Sequence, residues 1–266
     1  MKSTAVSVST VLQLLTGVLA LAAALFSVIQ PSIYEGIVSP GIVPGVFAQD
    51  ILVIVAAVLL LVLTATTGPS VLRRQIVILG ILGFLLYAYG IYAIEQLYIY
   101  LYPVYLAIVA LSFYALVYVL GGISASAEKR IVLPSWLRYI SSMFAILIAV
   151  MFNIIWFAQL IPLLRAGRRI EYTFSVYIID LCFIMPAFVI CAVMTMRKKA
   201  IGEAGLPGLF ILGVGILSPL ALAEALKPTL FDTARDPGGF WLYLVLSGLF
   251  LVLAVLYLAK LKPKRR

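Results

Sequence analysis

Long apolar runs alternate with short polar segments along the whole chain, and each run is about 20 residues long. A helix rises about 1.5 Å per residue and the hydrocarbon core of a bilayer is about 30 Å thick, so each run is long enough to cross a membrane. Because lipid offers the backbone no hydrogen-bond partners, the pattern predicts an all-α polytopic transmembrane helical bundle. Its eight predicted spans lie near residues 9–30, 47–66, 75–95, 99–121, 137–163, 174–196, 207–226 and 239–260.

The connections between these spans are too short to hold a soluble domain, so residues 1–266 are expected to form a single transmembrane domain. The basic residues give its orientation. Fourteen of the 19 Lys and Arg residues lie in the segments that face the cytoplasm when both termini are cytoplasmic. Because cytoplasmic loops carry an excess of Lys and Arg, the sequence predicts a multi-pass protein of the cell membrane with both ends inside.

The charge and residue composition of the chain exclude several classes of ligand and reaction. The net charge of +9 is explained by basic loops beside lipid, so no nucleic-acid partner is predicted. The basic tail at 262–266 is expected to contact anionic lipid head groups of the bilayer. The chain has no histidine, and we find no metal-ligand set, no nucleophile with a base and no phosphate-binding GxxxxGK[ST] motif. The sequence therefore predicts no cofactor, no metal and no enzymatic activity.

A weak internal repeat divides the chain into possible halves, 1–125 and 126–266. In each half an acidic residue leads an apolar run, a basic loop follows, and an Ile-Leu-Gly helix then ends near a glutamate. Corresponding helices would keep the same direction, which gives a parallel repeat about an axis along the membrane normal. The alternative is chance similarity between Leu/Ile/Val-rich helices. The matched segments are 49–57 with 179–187, 73–74 with 197–199, 78–80 with 211–213, and Glu95 with Glu224.

Several short motifs resemble a family of uncharacterised polytopic membrane proteins of bacteria and archaea. They are the segments 47–50, 72–74, 111–116 and 179–181, together with a tyrosine-rich third helix. The resemblance covers roughly residues 45–225 and implies an integral membrane protein of about eight helices with no assigned activity. Family members often carry asparagine between the third and fourth helices, where this chain has the segment 98–102, rich in tyrosine.

Four carboxylates fall on the predicted outer side of the bundle. Asp50 and Asp180 lie in the outer half of the second and sixth helices, and Glu95 and Glu224 lie near the outer ends of the third and seventh. Since a charge in the membrane is costly, Asp50 and Asp180 are candidates for an outer cavity that binds a proton, a cation or a small cationic solute. In the alternative, Asp50 caps its helix and the two glutamates mark the water interface.

Nine tyrosines occur between positions 87 and 118. An aromatic belt at the membrane interface explains those nearest the predicted outer turn. The alternative is a lining for a flat or cationic ligand, with Glu95 as counter-charge and the rings available for cation–π contact. Tyr87 and Tyr114 are the deeper candidates for that lining.

These observations favour a secondary transporter or permease whose substrate binds near the acidic residues. The alternative is a non-enzymatic receptor, scaffold or assembly subunit, for which a protein partner would be expected. The sequence leaves the substrate and the oligomeric state open, because the one GxxxG motif, at 41–45, lies in a predicted loop.

Overall fold

The computed structural model describes residues 7–66, 71–126, 131–166 and 174–263. Within these ranges eight helices are long and apolar enough to cross a membrane, which confirms the predicted all-α polytopic bundle. The helices are α1 (Val8–Ile29), α2 (Val43–Ala65), α3 (Val71–Ile94), α4 (Tyr102–Ser126), α5 (Ser135–Ala166), α6 (Phe174–Met196), α7 (Ala200–Leu230) and α8 (Pro237–Lys260). A short 3₁₀ helix, Pro31–Tyr34, follows α1.

Helix boundaries follow the local chemistry of the chain. The side chain of Asp236 accepts a hydrogen bond from the backbone N–H of Gly238, and Pro237 occupies the first position of α8. Helix α7 begins seven residues before the predicted start of its span, because residues 200–206, which include Gly202, Glu203 and Gly205, continue the helix inside the bundle. Glu203 lies in that first turn and is buried.

Helix α6 changes its winding in the middle. The chain is α-helical over Phe174–Ile179, π-helical over Asp180–Ile184 and α-helical again over Met185–Met196. Pro186 follows the wide turn, and a proline at this position has no N–H to donate and would clash with the carbonyl of Cys182 in a regular helix. The π turn therefore occurs where Pro186 prevents a regular α-helical hydrogen bond. Single π turns of this kind are frequent at functional sites.

Glycines bring α3 and α7 close together at the centre of the bundle. A Cβ atom built on Gly80 would lie 2.5 Å from Cβ of Ile211, and one on Gly215 would lie 2.5 Å from Cγ of Phe84. Small residues of this kind allow helix backbones to approach within the membrane. Helix α3 is also the most buried of the eight spans, so it forms the centre around which the other helices pack.

The two ends of the bundle are named here by a residue at each. At the Arg138 end, Arg138 of α5 pairs with Glu203 of α7, and the guanidinium of Arg73 donates to the backbone oxygens of Ala259 and Leu261. Two two-residue strands, β1 (Ile131–Val132) and β2 (Lys262–Pro263), pair antiparallel. The opposite end is the Tyr34 end, which the sequence predicts to face outward.

Candidate binding cavity

Asp180 is held at the start of the π segment of α6, six residues after the helix begins. At about 1.5 Å per residue this places its Cα about 9 Å into the bundle from the Tyr34 end. The residue is buried, with 5% of its surface exposed.

The carboxylate of Asp180 has one good donor and one free oxygen. Nε1 of Trp156 donates to Oδ2 at 3.0 Å, and the Tyr87 side chain lies beside the carboxylate. Oδ1 is buried and has no hydrogen-bond partner among the described residues. Buried polar atoms are nearly always paired, so Oδ1 is open to a further group, either the Tyr87 hydroxyl beside the carboxylate or a ligand in the cavity.

A cavity of about 470 Å³ lies next to Asp180, among α2, α3, α5, α6, α7 and α8. Most of its walls are apolar and aromatic, with a few polar groups, which is the usual composition of a small-molecule site. No Lys or Arg lines it among the residues that the structure describes. The aromatic lining residues are Tyr87, Tyr92, Phe152, Trp156, Phe188, Tyr243 and Phe250, and the polar ones besides the tyrosines and Trp156 are Gln49, Gln159 and Asp180.

The cavity occupies the place where α5 and α8 separate. In the first half of the chain α1 packs along α4, but α5 and α8 have no comparable backbone packing. Their side chains meet at Phe144 and Phe250, whose ring centroids are 5.2 Å apart. Toward the Tyr34 end, Gln159 of α5 and Tyr243 of α8 line the open space between the two helices.

The cavity is closed toward the Arg138 end in two layers. Phe144, Phe188, Phe210 and Phe250 form a cluster with centroid distances of 5.2–6.5 Å, and two of them also line the cavity. At the Arg138 end, Nε and Nη2 of Arg138 donate to Oε1 of Glu203 at 3.1 and 2.7 Å. Four aromatic rings and a buried ion pair therefore separate the cavity from that end.

Asp50 is not on the cavity wall. It is almost completely buried, and its carboxylate accepts hydrogen bonds from the hydroxyls of Tyr34 at 2.5 Å and Tyr92 at 3.1 Å. Nor does it cap α2, which begins at Val43, seven residues earlier. The structure therefore places Asp50 neither on the cavity wall nor at the cap of α2, because its partners come from the segment after α1 and from α3.

The two glutamates have structural partners. Oε1 of Glu95 accepts from the backbone N–H and hydroxyl of Ser175 at 2.8 and 2.6 Å, so it caps the first turn of α6. Glu224 pairs with Lys227 at 2.5 Å and accepts from the backbone N–H of Asp236 at 2.9 Å. Both groups are satisfied, and neither lines the cavity.

The tyrosines separate into two groups. Tyr87 is buried and lines the cavity, whereas Tyr114 is 57% exposed on the bundle surface and lies away from it. Of the six residues predicted for the site, the structure therefore brings Asp180 and Tyr87 together and places Asp50, Glu95, Glu224 and Tyr114 elsewhere.

Sequence reasoning missed Trp156 and the role of Tyr92. Trp156 lies midway between Asn153 and Gln159 of α5, three residues from each, and Gln159 also lines the cavity. An indole in a span between two amides was the available signal, since a buried indole N–H usually needs an acceptor. Nothing in the sequence distinguished Tyr92 from the other eight tyrosines between positions 87 and 118.

Neither a metal-binding cluster among the described residues nor a similar known protein identifies the function of the cavity. No group of three or more His, Cys, Asp or Glu side chains is placed to hold a metal ion within the described ranges. No protein-family model, curated protein or solved structure matches this chain. The eight apolar helices indicate a multi-pass membrane protein. What it does in the membrane is therefore inferred from the cavity.

Proposed function

We propose that this protein is a secondary carrier for a small organic cation, which binds in the cavity with its charge at Asp180. The observation that carries the proposal is the buried, unpaired Oδ1 of Asp180 in a cavity lined by aromatic rings. The distribution of basic residues predicts that both termini are cytoplasmic, and in that orientation the Tyr34 end would face outward.

The charge of the ligand follows from the charge of the site. An ionised carboxylate buried without a positive partner is unfavourable, and the cavity contains no basic side chain in the described part of the chain. A cationic ligand would supply the missing positive charge beside Oδ1. The rings of Trp156, Phe152 and Tyr243 offer faces that attract a cation, which favours an organic ammonium over a neutral solute of the same shape.

The closure of one end supports transport over simple binding. The cavity extends from the Tyr34 end to the four-phenylalanine cluster, and the Arg138–Glu203 pair lies beyond it. A carrier with alternating access needs a central site open to one side and a separable seal on the other.

Uptake by proteoliposomes tests the function. We expect the purified protein to take up radiolabelled tetramethylammonium, tetraethylammonium or choline, and we expect Asp180→Asn to reduce uptake by about tenfold or more. Removal of one partner from a buried charge pair costs about 3–5 kcal/mol, and about 1.4 kcal/mol is a factor of ten. Asp232→Asn is the matched control, because Asp232 is exposed and has a positive φ of 47° that Asn tolerates.

Two results would contradict the proposal. Full uptake by the Asp180→Asn protein would remove Asp180 from the site. A correctly inserted, stable wild-type protein that carries none of these cations would favour the receptor or scaffold alternative, and co-purification of a partner would then be the next experiment.

A further inference from the structure

Asp50 lies in a cage of tyrosines at the Tyr34 end. Its two oxygens accept from Tyr34 and Tyr92, and the rings of Tyr89, Tyr92 and Tyr105 pack on one another with centroids 5.2–5.8 Å apart. These residues come from α2, α3, α4 and the segment after α1. The cage is therefore built by the first half of the chain, apart from the helices that carry Asp180 and Trp156.

Among the residues that the structure describes, no positive charge compensates Asp50. Burial raises the pKa of Tyr34, so this phenol stays neutral and protonated. The titratable groups that face Asp50 are all tyrosines, namely Tyr34, Tyr89, Tyr92 and Tyr105. Ser27 of α1 lies beside two of them, Tyr34 and Tyr105. On α7, which packs against α2, Glu224 and Lys227 pair with each other. The salt bridges of the described residues do not include Asp50.

A second observation in the cage concerns Tyr105. Its hydroxyl is buried and forms no hydrogen bond of good geometry among the described residues, and the hydroxyls of Ser27 and Tyr34 are the potential partners beside it. The cage thus contains a carboxylate without a counter-charge and a hydroxyl without a well-formed hydrogen bond. A proton on Asp50 neutralises the carboxylate, and when the acid donates this proton to the oxygen of Tyr34, the hydroxyl hydrogen of Tyr34 can turn toward Tyr105.

We propose that Asp50 is a proton-binding site, separate from the cation site at Asp180, that holds its proton in the closed tyrosine cage seen here. The carboxylic acid exchanges one proton with water when the cage opens, and no other bond changes. A metal cation fits the geometry less well. Oxygens that coordinate a metal at about 2.0–2.6 Å surround the ion, whereas the oxygens of Asp50 and Tyr34 are in direct contact at 2.5 Å.

Tyr92 connects the proton site with the cavity. Its side chain lines the cavity, and its hydroxyl donates to Oδ1 of Asp50 at 3.1 Å. Gln49, the neighbour of Asp50 in the chain, also lines the cavity and donates to the backbone oxygen of Ala88 at 3.3 Å. A change in the protonation of Asp50 therefore alters a hydrogen bond of a cavity wall residue. This coupling to solute rests on the proposed function, whereas the proton on Asp50 does not.

Infrared difference spectroscopy of the purified wild-type protein at neutral pH detects the proton directly. We expect a carbonyl stretching band of a protonated carboxylic acid that shifts in D₂O, is lost in Asp50→Asn, and is retained in Asp180→Asn. Tyr34→Phe and Tyr92→Phe should shift the band, with the larger shift for Tyr34→Phe because its hydrogen bond is shorter. Tyr114→Phe is the matched control, since Tyr114 is exposed, and it should leave the band unchanged.

The phenylalanine variants keep the test decisive if Asp50→Asn fails to fold. A wild-type spectrum without the band, or a band that neither Tyr34→Phe nor Tyr92→Phe shifts, overturns the proposal. Loss of the band on adding Na⁺, K⁺ or Li⁺ at constant pH overturns it in favour of a metal-cation site. Because these measurements use no organic cation, they can fail while the uptake experiment succeeds, and the reverse also holds.

Discussion

Asp50 and Asp180 show how the same side chain acquires different chemistry from its neighbours. Asp50 accepts from two phenols and is enclosed, whereas Asp180 has one indole donor and a free oxygen beside a cavity. Both stand at the head of a similar apolar run in the sequence. The difference arises from Tyr34, Tyr92 and Trp156, which are distant in sequence from the acids that they contact.

Arg138 and Glu203 allow a test at the level of single residues. Removal of one partner from a buried ion pair leaves an uncompensated charge and costs about 3–5 kcal/mol, whereas replacement of both partners by apolar residues is often tolerated. We expect Glu203→Leu to lower the melting temperature of the detergent-purified protein strongly. The double variant Arg138→Met with Glu203→Leu should recover much of that loss.

The four proteins of this mutant cycle give the coupling between the two side chains. Purely additive effects of Arg138→Met and Glu203→Leu would contradict a direct buried interaction. Lys227 and Glu224, which form a more exposed pair, provide a comparison cycle with a smaller expected coupling.

Intramembrane acids could be predicted as notable residues, because charge in an apolar span is rare. The role of each acid could not be predicted from the sequence. The capping of α6 by Glu95 depends on the position of Ser175, 80 residues away, and the pairing of Glu203 depends on Arg138, 65 residues away. Such contacts are set by helix packing, which the composition of one span does not reveal.

Among the helices, α3 and α7 depend on glycine for their approach. A Cβ on Gly80 would lie 2.5 Å from Cβ of Ile211 and 2.8 Å from the backbone oxygen of Gly208, and neither atom belongs to a flexible side-chain end. We expect Gly80→Ala to lower the melting temperature, because overpacking of a close contact typically costs about 1–3 kcal/mol.

Gly248→Ala on α8 is the matched control for Gly80→Ala. It has no atom within 4 Å of the added Cβ, and Ala is favoured over Gly in a helix by about 0.5–1 kcal/mol. Its melting temperature should equal or exceed that of the wild type. Equal effects of the two substitutions would show that α3 and α7 are not in close contact at Gly80.

Element boundaries illustrate what apolar periodicity predicts well. The sixth span was predicted at 174–196 and α6 occupies Phe174–Met196, since its ends are marked by polar residues. The start of α7 was displaced because Gly202, Glu203 and Gly205 resemble a loop in sequence but are buried in a helix. The π turn in α6 could not be assigned from the pattern, although Pro186 was its local cause.

At the scale of the whole molecule, helix pairs of the two halves pack in corresponding ways. The α1–α2, α3–α4 and α2–α3 contacts have counterparts in α5–α6, α7–α8 and α6–α7. The matched glycines differ, however, since Gly80 faces α7 and Gly213 faces Phe250 of α8. The duplication therefore stays a prediction.

The cavity lies where the two halves differ. Helices α1 and α4 are packed together, while α5 and α8 diverge above Phe144 and Phe250 toward the Tyr34 end. Sequence analysis predicted a cavity shared by Asp50 and Asp180. It could not show that the first half is closed around one acid and the second half is open beside the other, because this depends on the separation of whole helices.

The most direct test of the account is the thermal stability of the detergent-purified protein with choline or tetraethylammonium and with 3,3-dimethylbutanol, the neutral analogue of choline. A ligand that binds only the folded state raises stability, by about 2.7 kcal/mol at one hundred times its Kd. We predict that a cation raises the melting temperature of the wild type and of Asp232→Asn, that the neutral analogue does not, and that Asp180→Asn loses the effect. Equal stabilisation of Asp180→Asn and wild type, or no stabilisation of the wild type by any organic cation, would contradict a cation site at Asp180.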